Sequence, residues 1–306
     1  MSAPVDLRQD WLTRRSCVSA PGDLDLARRL RGSTTCCVVV PARNEVATVG
    51  ALVEGLRAGL DDLVDEVVVV DDGSDDGTGA AASRAGARVV DGRDPEGHTG
   101  KGGAMWRGLA ATTAELVVFL DADVPDFAPH WVASLLLPML REPGVALVKA
   151  AYDRPLTVDG VVHPGSGGRV TRLVANPLLN LVAPDLTVFA QPLAGETAAR
   201  RTLLERVSFV GGYGVELGLL LDAHRAVGLD GLAQVDLGVR WHRHHSDVVL
   251  AEMATTLLQV AAHRTGCALG TDEFARVRRD DSGTFVHEVR PLRLSSLPPP
   301  GTRHGR

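Results

Sequence analysis

The stretch Cys36-Cys37-Val38-Val39-Val40-Pro41-Ala42-Arg43-Asn44-Glu45 sets the fold. Its first five residues form an unbroken apolar run rich in valine, which suits a strand buried on both faces of a parallel sheet. Proline then interrupts the run, and Arg43, Asn44 and Glu45 fall where the chain leaves the strand. Runs of the same kind recur at residues 66–70, 87–90, 116–120 and 145–150, with helical patterns between most of them. Between the first two, Val49, Leu52, Val53, Leu56 and Leu60 recur at helical spacing, giving one apolar stripe that should pack on the sheet. The alternation predicts βαβ units, hence an α/β fold with a mostly parallel central sheet and helices on both faces.

Beyond residue 152 the texture changes. A glycine-rich stretch, residues 165–168, leads into helical patterns starting at Val170, Glu196 and Val215, followed by an extended segment over 232–241 and an amphipathic helix over 247–263. We therefore expect an N-terminal extension (1–33), a first half (34–152), a second half (153–278) and a disordered tail (279–306) that contains Pro298, Pro299 and Pro300.

A chain of 306 residues, 45% hydrophobic, can fill one large α/β core. Its formal charge of −6, with 32 dispersed basic residues, offers no basic block for nucleic acid or an anionic membrane. Cys17, Cys36, Cys37 and Cys267 form no CxxC pair, so reduced thiols in a cytoplasm are expected. No signal-peptide core and no run of ~20 apolar residues stands in the sequence, so no membrane attachment is expected.

Ligands of parallel sheets gather at the carboxyl ends of strands. There the sequence places Pro41-Ala42-Arg43-Asn44-Glu45, Asp71-Asp72-Gly73-Ser74 and Asp121-Ala122-Asp123. Each alone also reads as turn and cap residues, and for Asp72-Gly73-Ser74 alone the turn is the better reading. At i, i+2 spacing on extended backbone, however, Asp121 and Asp123 share one side and together suit a hard divalent cation, Mg²⁺ or Mn²⁺, that still accepts diphosphate oxygens. Gly100-Lys101-Gly102-Gly103 precedes a helical pattern and could bring Lys101 to a phosphate, although it is not a Walker A loop. No GxGxxG follows the first strand, which argues against a dinucleotide. Gly168, Arg169, Val170 and Thr171 combine flexible backbone with a guanidinium suited to phosphate. In Trp241-His242-Arg243-His244, His242 could complete the metal site from the distant half.

Taken in order, these motifs resemble the retaining GT-A glycosyltransferases that make glucosyl-3-phosphoglycerate. The resemblance runs from about residue 36 to 263 and also includes Gln191-Pro192-Leu193-Ala194-Gly195-Glu196, Gly212-Tyr213-Gly214-Val215-Glu216 and Val239-Arg240-Trp241-His242-Arg243. It implies a GT-A fold with a nucleotide-sugar-binding first half and an acceptor-binding second half. It further implies UDP-glucose as donor, 3-phosphoglycerate as acceptor, a divalent cation and a homodimer. By position, Pro41, Ala42, Arg43 and Glu45 would line base and ribose, Ser74 would assist, Asp72 would belong to the donor site, and Lys101 would hold the base or the diphosphate. Asp121, Ala122 and Asp123 would face ribose and metal, with His242 as a further ligand. Arg169, Thr171 and their neighbours Gly168 and Val170 would hold the acceptor, with His244 beside them. Glu196, Tyr213 and Glu216 would surround the sugar, so that Lys101, Glu196 and Glu216 carry the chemistry.

The chain departs from the family pattern at three of these positions. His244 stands where asparagine is common, Ala122 where serine is common in the DxD motif, and the turn at 71–74 reads Asp-Asp-Gly-Ser rather than Asp-Ser-Gly-Ser. A mannosyl-3-phosphoglycerate synthase using GDP-mannose is the nearest alternative. A polyprenyl-phosphate sugar transferase would want a membrane anchor. In a haloacid-dehalogenase-like phosphatase Asp121 would be the nucleophile, but the loops after residues 40 and 70 would have no role. A nucleotide-sugar-binding sensor without turnover would leave the carboxylates and His242 unexplained.

Overall fold

The computed structural model describes residues 7–93, 100–158, 161–163, 167–240, 246–267, 273–279, 285–292 and 294–300. Eight strands make the main sheet: β1 (Ser16–Val18), β2 (Cys36–Ala42), β3 (Glu66–Asp71), β4 (Arg88–Asp91), β5 (Leu116–Phe119), β6 (Leu147–Asp153), β9 (Thr197–Arg200) and β11 (Leu232–Val239). Short strands β7 (Leu156–Val158) and β8 (Val161–His163), β10 (Phe209–Val210) and β14 (Ser296–Leu297), and β12 (Glu273–Arg279) and β13 (Phe285–Pro291) pair outside it. The helices are α1 (Leu7–Arg15), α2 (Asp23–Arg31), α3 (Val46–Leu60), α4 (Thr78–Arg84), α5 (Lys101–Ala111), α6 (His130–Arg141), α7 (Asn176–Val182), α8 (Arg201–Leu204), α9 (Val215–Val227) and α10 (Asp247–Thr265).

The order across the sheet is β1-β11-β6-β9-β5-β2-β3-β4. All neighbours run parallel except β9, which lies antiparallel between β5 and β6. Strand β2 shows why the apolar run is continuous. Cys36, Val38 and Val40 belong to one core cluster, while Cys37 and Val39 belong to the other, because side chains alternate faces. Helices α3 and α6 cover the first face, and α5 and α9 cover the second. The stripe Val49, Leu52, Val53, Leu56 and Leu60 is wholly buried, as its spacing predicts. Burial also makes the β2 thiols unreactive, with the Cys37 thiol pushed up to about 12.

From β2 the chain proceeds outward through β3 and β4, then returns to the other side of β2 as β5. That reversal opens a crevice above the carboxyl ends of β2 and β5, where Arg43 and Asp121 follow directly.

Two expectations are corrected, and the N-terminal extension is placed. Glu196 leads into strand β9 rather than a helix, because Ala198 and Ala199 are small enough to slot between β5 and β6, and pairing overrides the helix-favouring composition. The N-terminal extension joins the core: Trp11 is buried and donates its indole N–H to the Leu229 carbonyl at 2.9 Å, and β1 forms the sheet edge against β11. The tail carries β13, paired with β12 and cross-linked by Arg276 to Glu288 at 2.6 Å, and β14, paired with β10. Its strands were hidden by a charge-rich alternation with few large apolar residues.

Candidate active site

A cavity of about 620 Å³ occupies the crevice. One end is lined by Pro41, Ala42, Arg43, Glu45 and Asp72. The loop after β2 is held by side chains of the next loop. Asn44, at φ +56, donates its N–H to Ser74 Oγ at 3.0 Å, Glu45 N–H meets Thr78 Oγ1 at 2.8 Å and Val46 N–H meets Asp76 Oδ2 at 3.1 Å. Helix α3 is therefore capped by Asp76 and Thr78, two residues distant in sequence. Ser74 is not on the cavity wall itself but holds the Asn44 loop beside it. Asp72 does line it. Its Oδ2 accepts the Gly100 N–H at 2.8 Å, while Oδ1 is buried without a partner, and burial raises this carboxyl above its usual value.

At the centre Lys101 begins α5 directly after Gly100, whose φ of +86 and close approach to Gly212 suit only glycine. The Lys101 ammonium bridges Asp121 and Glu216, the latter at 2.7 Å. Burial works against this charge, but the two carboxylates hold Lys101 above its ordinary range. Burial likewise works against the Asp121 carboxylate, yet Lys101 and Arg240 keep it below the usual range. Asp123 is shifted the other way, first by burial and then by the neighbouring Asp121 charge. Arg240 Nη2 lies 3.5 Å from Asp123 and 3.8 Å from Asp121. Ala122 is buried between them.

Glu196, expected beside the sugar, does not face the cavity. It is 0% exposed, absent from the cavity wall, and ion-paired with Arg240 beneath the floor. The short strand β9 carries it inward, so it supports Arg240, while Glu216 reaches the cavity. Gly195, one residue before, forms part of the floor, and a side chain there would collide with the Asp121 carboxylate and the Lys101 ammonium.

The far end is lined by Gly168, Arg169, Val170 and Thr171, with Tyr213 at its side and Leu250, Met253 and Leu257 of α10 above. Arg169 is ion-paired with Asp247. Thr171 is buried at the start of a five-residue π-type turn, Thr171–Ala175, that continues into α7. His242 and His244 lie outside the described residues.

Asp121 and Asp123 meet the chemical requirements of a hard cation. Both present carboxylate oxygens at one cavity, and to the burial that chiefly raises Asp123 the neighbouring Asp121 adds a negative charge that a cation relieves. Among the described residues no group of three or more potential ligands is assembled, since the third expected ligand, His242, is not among them.

Residues 37–179 match the family described as glycosyl transferase family 2. The glucosyl-3-phosphoglycerate synthase of Mycolicibacterium smegmatis is 42% identical over 97% of this chain and 99% of its own length. The chain belongs to the glucosyl-3-phosphoglycerate synthase family. Solved members include the glucosyl-3-phosphoglycerate synthase of Mycobacterium tuberculosis in complex with Mn²⁺, UDP and glucosyl-3-phosphoglycerate. That structure matches with a TM-score of 0.83 and 37% identity over 94% of this chain and 99% of that one. The mannosyl-3-phosphoglycerate synthase of Rubrobacter xylanophilus has a TM-score of 0.84 and 36% identity over 97% and 98%. The GT-A-like α/β architecture expected from the motifs is thus that of the glucosyl-3-phosphoglycerate synthase family.

Two arginines, Arg154 on the cavity wall and Arg240 beneath its floor, received no role from the sequence. Arg154 and Arg240 follow the carboxyl ends of β6 and β11, which are parallel neighbours, and Arg240 N–H bonds the Asp153 carbonyl at 2.9 Å. The rule that flagged Arg43 and Asp121 would have flagged both, had the 145–150 run and the 232–241 segment been recognised as neighbours in one sheet.

Proposed function

We propose that this enzyme transfers glucose from UDP-glucose to the 2-hydroxyl of 3-phosphoglycerate with retention of configuration. The observation that carries the reading is a single cavity with three successive chemistries. A base-sized end is walled by Pro41–Ala42 and Asp72, a charged centre by Lys101, Asp121, Asp123 and Glu216, and an anion-receptive end by Arg169 and Thr171. A solved structure of the Mycobacterium tuberculosis relative holds Mn²⁺, UDP-glucose and phosphoglyceric acid together, which supports the same pair of substrates here.

In this reading Lys101, fixed by Asp121 and Glu216, sets a positive charge beside the departing diphosphate, where preorganised charge lowers the barrier. Asp121 and Asp123, with His242, would hold a divalent cation of the Mg²⁺ or Mn²⁺ kind, which when bound neutralises diphosphate charge. Glu216 and Tyr213 border the glucose, and the acceptor end brings the hydroxyl to the face from which the diphosphate leaves. Asp72 lines the base end, where its carboxylate favours a base that presents a ring N–H, as uracil and guanine do, over one that presents a bare ring nitrogen. A cytoplasmic setting, supported by four free cysteines, and a homodimer complete the proposal. No helix among the described residues is long and apolar enough to cross a membrane.

The test is nucleoside diphosphate release from UDP-glucose, GDP-glucose, GDP-mannose and ADP-glucose with 3-phosphoglycerate present. Best turnover with UDP-glucose and none with ADP-glucose is expected. Preference for GDP-mannose would move the chain to the mannosyl reading, and efficient use of ADP-glucose would remove Asp72 from base selection.

A further inference from the structure

The cations in and beneath the cavity differ in what holds them. Lys101 is bound by Asp121 and Glu216, Arg240 by Glu196 and the Asp pair, and Arg169 by Asp247. Arg43 stands at the opposite, Asp72 end. Arg154 lines the cavity and, among the described residues, pairs with no carboxylate, and its Nε is buried without a partner. A half-buried guanidinium on a cavity wall, with no described carboxylate beside it, is suited to take an anion.

The surroundings fix where that anion would lie. Arg154 Nη2 donates to the Tyr152 hydroxyl at 2.7 Å, and the guanidinium sits 5.0 Å from the centre of the Tyr152 ring. Arg240 lies 5.5 Å from the centre of the same ring and reaches Asp123 at 3.5 Å. Arg154 is thus one aromatic ring away from the guanidinium that touches the reaction centre. Its backbone carbonyl accepts the Gly167 N–H at 2.7 Å, and a side chain at Gly167 would strike Arg154 itself. The residue therefore joins the reaction centre to the loop that leads into Arg169.

In 3-phosphoglycerate the carboxylate is attached to the carbon that bears the reacting hydroxyl, whereas the phosphate is one methylene further away. Whatever reads the carboxylate must sit nearer the reaction centre than whatever reads the phosphate. We infer that Arg154 is the residue that recognises the acceptor carboxylate, held on the Tyr152 ring, and so selects a 2-hydroxy acid over the corresponding alcohol. A planar guanidinium suits a carboxylate by paired N–H donors, which an ammonium does not reproduce. The inference rests on the acceptor proposed above and adds a specificity-determining residue to it.

The experiment compares 3-phosphoglycerate with glycerol 3-phosphate, which keeps the hydroxyl and phosphate but lacks the carboxylate, in wild type, Arg154→Met, Arg154→Lys and Tyr152→Phe. In wild type 3-phosphoglycerate should be strongly preferred. Arg154→Met should raise its KM by roughly 10- to 100-fold, leave the UDP-glucose KM within about 2-fold and narrow the preference by the same factor. Arg154→Lys should recover part of the loss, and Tyr152→Phe should shift acceptor KM in the same direction by a smaller factor. An unchanged acceptor KM in both Arg154→Met and Tyr152→Phe, or a loss confined to the donor KM, overturns the inference while leaving the acceptor reading intact. A wild-type enzyme that ignores 3-phosphoglycerate overturns both.

Discussion

Gly195 and Lys149 show how single residues shape this floor. Gly195 lies against the Asp121 carboxylate and the Lys101 ammonium with no room for a methyl group. Gly195→Ala should displace that pair and lower kcat by roughly 100-fold, the cost of about an ångström of misplacement, with little change in the unfolding midpoint. Steady-state kinetics beside a thermal melt would check this; a normal kcat would show that the pair tolerates movement. Lys149 is buried behind the same loop, donating to the Ala194 carbonyl and, at 3.1 Å, to Thr197 Oγ1. Burial lowers its ammonium to about 8, so between about pH 8 and 10.5 the unfolded chain binds more protons there than the folded one. Stability from this residue should therefore rise as pH increases through that window. Denaturant melts of wild type and Lys149→Met at pH 7 and 9.5 should show a gap between them that changes with pH; a constant gap would refute the assignment.

At the level of elements, strand β14 is the least expected and the most consequential. Leu297 is buried, the Gly211 N–H bonds the Ser295 carbonyl at 2.9 Å, and the Trp106 indole donates to the Pro298 carbonyl at 2.8 Å. The strap thus ties α5, which carries Lys101, to the turn that carries Tyr213. Leu297→Asp should destabilise the fold by about 3 kcal/mol and lower turnover, because it places a charge in the second core cluster. Equal melts for mutant and wild type would mean that the strap is dispensable. The sequence missed β14 because two residues carry no period, and it missed β9 because Thr197-Ala198-Ala199-Arg200 has the composition of a helix; only neighbours far along the chain make these segments extended. Strands β2 to β6 and helix α3 were legible because burial on both faces, or on one stripe, leaves a local pattern. Of the cavity residues that could be read, Arg43, Asp72 and Asp121 follow such strands. Arg154, and Arg240 beneath the floor, depend on β6 and β11 being neighbours across some eighty residues of intervening chain.

For the molecule as a whole, one sheet spans both halves of the chain, and the cavity over its switch point brings the base-sized end, the acid pair and the acceptor loop together. Catalysis should therefore need all three at once. Asp123→Ala should reduce turnover by at least roughly 100-fold while the melt moves little, since the side chain is partly exposed and its loss relieves repulsion with Asp121. Unchanged activity in that variant would remove the acid pair from metal binding. The most direct test of the central claim is UDP release from UDP-glucose in four mixtures: with and without 3-phosphoglycerate, and with Mg²⁺ or with chelator. Release is expected only where both 3-phosphoglycerate and Mg²⁺ are present. Equal release without 3-phosphoglycerate, or in chelator, would contradict it.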